Sequence, residues 1–75
     1  MRVIAMEFRR IRELREDKDW KQAQVAEYLG IRQSTYSKYE LGKILIPVDY
    51  LIRLADFYAV SLDYLVGRSE DRGRK

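Results

Sequence analysis

The stretch that decides the fold is residues 22–41, QAQVAEYLGIRQSTYSKYEL. It sets a small residue, Ala26, four positions before Gly30, with apolar or aromatic residues at Val25, Leu29, Ile31, Tyr36 and Tyr39. This spacing predicts two short helices crossing at a tight corner. Ala26 lies on the face of the first helix where the second crosses, and a larger side chain would hold the two apart. Gly30 supplies a positive φ at the turn, which costs a residue bearing a Cβ about 1–2 kcal/mol. Leu29 and Ile31 flank the corner and bury it, while Tyr36 and Tyr39 form the inner stripe of the second helix. Gln33, Ser34, Thr35, Ser37 and Lys38 are left facing outward. They are hydrogen-bonding side chains of the kind that read base edges from a major groove. A small residue and a turn glycine also fit an ordinary helical hairpin, so the weight falls on the surrounding sequence.

The 75 residues make one domain, near the size at which a single core is marginal. There is no cysteine, hence no disulfide framework and no thiolate metal site, which suits a reducing cytoplasm. No apolar run approaches a transmembrane helix, and the apolar part of the opening MRVIAMEFRR is too short for a signal peptide, so no membrane partner is expected. Histidine is absent too, and the carboxylates form no clustered pair in an apolar setting. Catalysis, a cofactor and a bound metal are therefore not expected.

The net charge of +3 is small beside 36% charged residues, and its distribution says more than its size. Arg9, Arg10, Arg12 and Arg15 crowd the first helix, and Arg68, Arg72, Arg74 and Lys75 crowd the tail. Between Ile46 and Gly67 the only cation is Arg53, opposed by Asp49, Asp56 and Asp63, so that half is no obvious phosphate-binding surface.

Apolar periodicity extends the helix pair to an all-α domain of five short helices. The first is expected over residues 7–17, with Phe8, Ile11 and Leu14 on one face and arginines on the others. Trp20 returns the chain to the core. Gly42 stops the third helix, and Pro47 ends the loop before a fourth over residues 48–58, whose buried stripe is Leu51, Leu54, Ala55 and Tyr58. Ser61 is a good N-cap for a fifth helix over residues 62–66, and Asp63 suits its first turn. This gives an N-terminal extension (residues 1–6), a helical domain (7–67) and a basic tail (68–75) without apolar residues, expected to be disordered.

With FRRIRELRED, QAQVAEYLGI, STYSKYELGK and IPVDYLIRLADFYAVSLDYLVGRS in place, the chain from Phe8 to Gly67 resembles the lambda-repressor-like helix-turn-helix family of Cro and phage-repressor type, also called XRE. The resemblance implies a sequence-specific, DNA-binding transcriptional regulator: a repressor that binds an inverted-repeat operator in double-stranded DNA as a homodimer. It places Gln22 against a phosphate at the start of the second helix, and Gln33 as the main base reader on the third. Ser34, Thr35, Ser37 and Lys38 follow in the groove, with Arg32 and Lys43 on the backbone. It pairs Arg15 with Glu40 in a partly buried ion pair that fastens the first and third helices. It assigns dimerisation to the fifth helix and the turn before it, here Val60, Leu62 and Tyr64, with Leu65 turned to the core.

The chain departs from the family pattern in four places. Lys21 and Arg32 stand where Ser, Thr or Asn often caps the second and third helices. Asp19 replaces a turn glycine and must accept a positive φ, which Asp does better than most. The loop residues 44–46 are apolar rather than basic, and Val3-Ile4 adds an apolar extension. Two other functions stand beside the repressor: a restriction–modification controller protein, and an antitoxin-like module that uses the fold to hold a protein partner. An exposed apolar loop at residues 44–46 would favour the last.

Overall fold

A computed structural model of the chain describes residues 8–73. It contains α1 (Arg9–Asp17), α2 (Gln22–Leu29), α3 (Gln33–Glu40), α4 (Val48–Tyr58) and α5 (Leu62–Leu65), with no strand among the described residues. Each helix forms where its apolar residues can share one core. Phe8, just before α1, is buried with Ile11 and Leu14 of that helix, as are Val25, Ala26 and Leu29 of α2 and Tyr36 and Tyr39 of α3. From α4 come Leu51, Leu54, Ala55 and Tyr58, the stripe expected from the sequence. Trp20 is half-buried against this core, edge-on to Phe57 at 5.2 Å between ring centres.

The corners follow their residues. Gly30 ends α2 at φ 75°, which lets the Ile31 N–H donate to the Ala26 carbonyl at 3.0 Å and tucks α3 under α2. Asp19 takes φ 61°, as its place in the first turn requires. Ala59 ends α4 in the same left-handed region at φ 56°, a conformation that nothing in the sequence announces. Ser61 caps α5 by accepting the Tyr64 N–H at 3.0 Å. Neither Lys21 nor Arg32 caps its helix with a side chain; instead Gln24 Oε1 accepts the Lys21 N–H at 2.7 Å, while the first turn of α3 has no side-chain cap.

A reciprocal latch ties α4 to the corner. Arg53 Nη2 donates to the Tyr28 carbonyl at 2.8 Å, and the Tyr28 hydroxyl donates to the Arg53 carbonyl at 3.1 Å. Tyr28 also stacks on Phe57, with ring centres 4.3 Å apart. Arg53, the only cation between Ile46 and Gly67, thus satisfies the end of α2, where carbonyls lack helical partners.

Several expectations need correction. Residues 68–73, expected to be disordered, lie folded back along the α1–α5 edge, where Arg10 donates to the Ser69 carbonyl and the Ser61 N–H donates to the Arg72 carbonyl. Main-chain groups and a guanidinium, rather than apolar side chains, make these contacts. Val60 is buried in the core, so it is not a dimerisation residue on the surface. Ile46 is buried as well, leaving only Ile44 and Leu45 of that loop in solvent. Helix α5 stops at Leu65, one residue short of its expected end. The N-terminal extension with Val3-Ile4, and Arg74 and Lys75, lie outside the described residues. No helix among the described residues is long and apolar enough to cross a membrane.

Candidate nucleic-acid interface

Helix α3 divides cleanly by burial. Tyr36 and Tyr39 point into the core, Gln33, Ser34 and Lys38 stand in solvent, and Thr35 and Ser37 are half-buried on its flanks. Arg32 before the helix and Lys43 after it are exposed. The sequence places all five polar residues outward, whereas only three are fully so, because a helix of eight residues packed on two tyrosines has shoulders as well as faces.

On the inner side of α3, its last residue, Glu40, has a side chain only 2% exposed. Its Oε2 accepts Arg15 Nε and the Tyr36 hydroxyl, both at 2.6 Å; its Oε1 accepts Arg15 Nη2 at 3.1 Å and Gln22 Nε2 at 3.0 Å. Four donors thus meet the four acceptor sites of a carboxylate. Arg15 Nη1 also donates to the Trp20 carbonyl at 2.9 Å, so α1, the first turn, α2 and α3 share one polar hub. Burial alone would raise the Glu40 carboxyl, but the hydrogen bonds of Arg15, Tyr36 and Gln22 outweigh it and hold it below the usual carboxylate range. The Glu40 hydrogen bond raises Arg15, and burial followed by Glu40 pushes the Tyr36 phenol far above its ordinary range. The Arg15–Glu40 pair is present in the structure, and it is larger than a pair.

Gln22 sits differently from its expected role. One of its two amide N–H groups goes to Glu40, which leaves one for an outside acceptor at the start of α2. The guanidinium of Arg15 offsets the carboxylate there, so the hub adds no net charge against a phosphate. The arginine cluster of α1 is likewise less available than its count implies. Arg10 is spent on carbonyls, Arg12 pairs with Glu16 at 3.2 Å, and Arg15 is in the hub.

Some of these roles had a signal in the sequence. Tyr36 and Glu40 are four apart on one helix, and Lys21 and Gln24 have capping-box spacing. The Arg53 latch and the Arg10 contacts had none, because their partners are backbone carbonyls 25 and 54 residues away.

Two helices at a glycine corner, the second showing a polar face to solvent while supporting helices fix its back, define a helix-turn-helix domain of the regulator class. The chain belongs to the lambda-repressor-like helix-turn-helix family: the helix-turn-helix family model matches residues 11–65. The uncharacterized HTH-type transcriptional regulator YobD of Bacillus subtilis is 40% identical over 62 residues, covering 83% of this chain and 55% of its own length. The HTH-type transcriptional regulator AnsR of the same organism is 37% identical over 67 residues, 89% of this chain and 58% of AnsR. The cryptic phage CTXphi transcriptional repressor RstR of Vibrio cholerae is 43% identical over 47 residues, 63% of this chain and 42% of RstR. The chain therefore spans about half the length of the relatives it matches. No solved structure matches it.

Proposed function

We propose that this domain is a sequence-specific DNA-binding repressor that holds an inverted-repeat operator as a homodimer in the cytoplasm. The observation that carries the reading is the exposed row of Gln33, Ser34 and Lys38 on a helix whose other side is locked by Tyr36, Tyr39 and Glu40. Gln33 bonds adenine N6 and N7 through its amide, Lys38 reaches guanine or a phosphate, and Thr35 turns its methyl to thymine. Arg32, Lys43 and the start of α2, with the second amide hydrogen of Gln22, hold phosphates and set the register. Ser37 lines the groove beside Gln33. Two copies meet through Leu62 and Tyr64 of α5, placing their α3 helices about 34 Å apart, one turn of the duplex.

The test is selection of bound sequences from a random DNA pool, followed by salt titration of the winner. Going from about 50 to 200 mM salt weakens binding by about 10³-fold for six phosphate contacts. Gln33→Ala relaxes one position per half-site at a cost of about 1–3 kcal/mol, whereas Lys43→Ala weakens all sequences alike. Salt-insensitive binding, or mutants that behave identically, would sink the reading.

A protein-binding reading has one observation in its favour. Leu41, Ile44, Leu45, Val48 and Ile52 are exposed between the end of α3 and the outer side of α4, Leu45 at 71%. Under that reading DNA binding is weak, and a protein partner covers these residues.

A further inference from the structure

Residues 68–73 bear no apolar side chain, yet they are held along their whole length. At the near end the Arg68 N–H donates to the Asp63 carbonyl at 2.8 Å. In the middle, Arg10 Nη1 donates to the carbonyls of Tyr64, at 2.7 Å, and Ser69, so one guanidinium ties α1 to α5 and to this segment together. The Ser69 hydroxyl accepts the Asp71 N–H and the Asp71 carboxylate accepts the Gly73 N–H, each at 3.0 Å, which bends the segment back. At the far end the Ser61 N–H donates to the Arg72 carbonyl. Gly73, at φ 82°, lies so close that an added Cβ would sit 2.7 Å from the Ser61 Cβ. Only glycine closes the loop there.

These contacts leave the Tyr64 ring with the Arg10 guanidinium 4.0 Å from its centre and that of Arg72 at 5.4 Å. Of the two, Arg10 belongs to α1, and Arg72 is the side chain that this segment itself brings to the ring. We infer that residues 68–73 are a strap that closes over the Tyr64 edge of α5 and competes with a second copy of the chain for it, so that self-association requires the strap to open. The inference rests on the α5 homodimer proposed above. The strap is built for opening. Its fastenings are a few hydrogen bonds and the ion pairs of Glu70 with Arg10, at 3.3 Å, and of Arg72 with Asp17, at 3.9 Å, bordering solvent with no apolar side chain of its own buried, which puts it at the low-stability end of local opening. Because both copies must open, the apparent dissociation constant of the dimer is then the intrinsic one divided by the square of the open fraction.

The experiment uses the 75-residue chain and reads two quantities: amide exchange at Ser61 for the strap, and sedimentation equilibrium for association. Gly73→Val opens the strap at its far end, and Arg10→Met opens it from α1 by removing the guanidinium while keeping an unbranched apolar stem. In wild type the Ser61 amide is protected and the chain is mostly monomeric. In either variant that amide exchanges faster and association tightens about tenfold or more, as the open fraction approaches one. Adding Tyr64→Ala to Gly73→Val returns the monomer. A Ser61 amide that exchanges freely with association unchanged overturns the gate. If operator binding by that variant still shows two-copy cooperativity lost with Tyr64→Ala, the α5 dimer stands and only the strap's role fails; without that cooperativity, the dimer reading fails too. A wild-type dimer with a protected Ser61 amide also overturns the competition.

Discussion

Arg15 and Arg10 lie on the same helix and both fasten α1 to other parts of the domain, but they do so in opposite ways. Arg15 meets one carboxylate whose side chain is 2% exposed. Arg10 spreads over two backbone carbonyls and reaches Glu70, at 3.3 Å, whose side chain is 97% exposed. The difference teaches that burial of the partner, more than distance, decides what an arginine holds. Glu40 has no water to fall back on if its donors leave, whereas Glu70 is solvated with or without its partner. One end of α1 is therefore a keystone for the α2–α3 corner, and the other is a clasp.

The sharpest way to break this comparison is Glu40→Ala. It leaves the Arg15 guanidinium without its anion and costs about 3–5 kcal/mol in urea denaturation, a large fraction of what a domain this small has. Wild-type stability would reduce the hub to a surface coincidence. Acid provides a second route to the same end. The folded carboxyl of Glu40 is held below its ordinary value of 4.5, so its contribution is full above that pH and is lost as pH falls through the depressed folded value. Denaturation midpoints of wild type and Glu40→Ala should accordingly converge as the pH is lowered below 4.5, where wild type loses what the variant already lacks. Tyr36→Phe removes one donor of four and leaves Arg15 and Gln22 in place; it costs about 1.5–3 kcal/mol by the same measurement, the range for a hydrogen bond to a charged group. Glu70→Gln, at the other arginine, leaves the midpoint unmoved within error. A loss there equal to that of Tyr36→Phe would erase the distinction between keystone and clasp.

Where the sequence was legible, a periodic apolar pattern carried the information. Phe8, Ile11 and Leu14, the four-residue stripe of α4 and the Ala26–Gly30 corner could all be located because burial repeats at helical spacing. Asp19 was legible only through the family resemblance, which puts a turn glycine at its position. Ala59 was not, since alanine is the best helix former and nothing about it marks a left-handed residue. Ile46 was misplaced because a three-residue apolar loop has no period to say which member turns inward. At the candidate site, the outward residues of α3 follow from its inward ones, while Gln22 shows why a role taken one residue at a time falls short. A single amide has two hydrogens, and only the folded chain shows that one is already committed to Glu40.

The split of α3 has a consequence for how such a domain changes over generations. Its stability resides in Tyr36, Tyr39 and Glu40, and its outward chemistry in Gln33, Ser34 and Lys38. Substitutions on the outward set touch neither the core nor the hub, and exposed substitutions of this kind usually shift stability by less than about 0.5 kcal/mol. Under the proposed base-reading role of these residues, a new recognition preference is reachable by single exposed changes through folded intermediates. Position 40 is the opposite case, because four hydrogen bonds from three residues converge on it and any replacement must answer all of them at once.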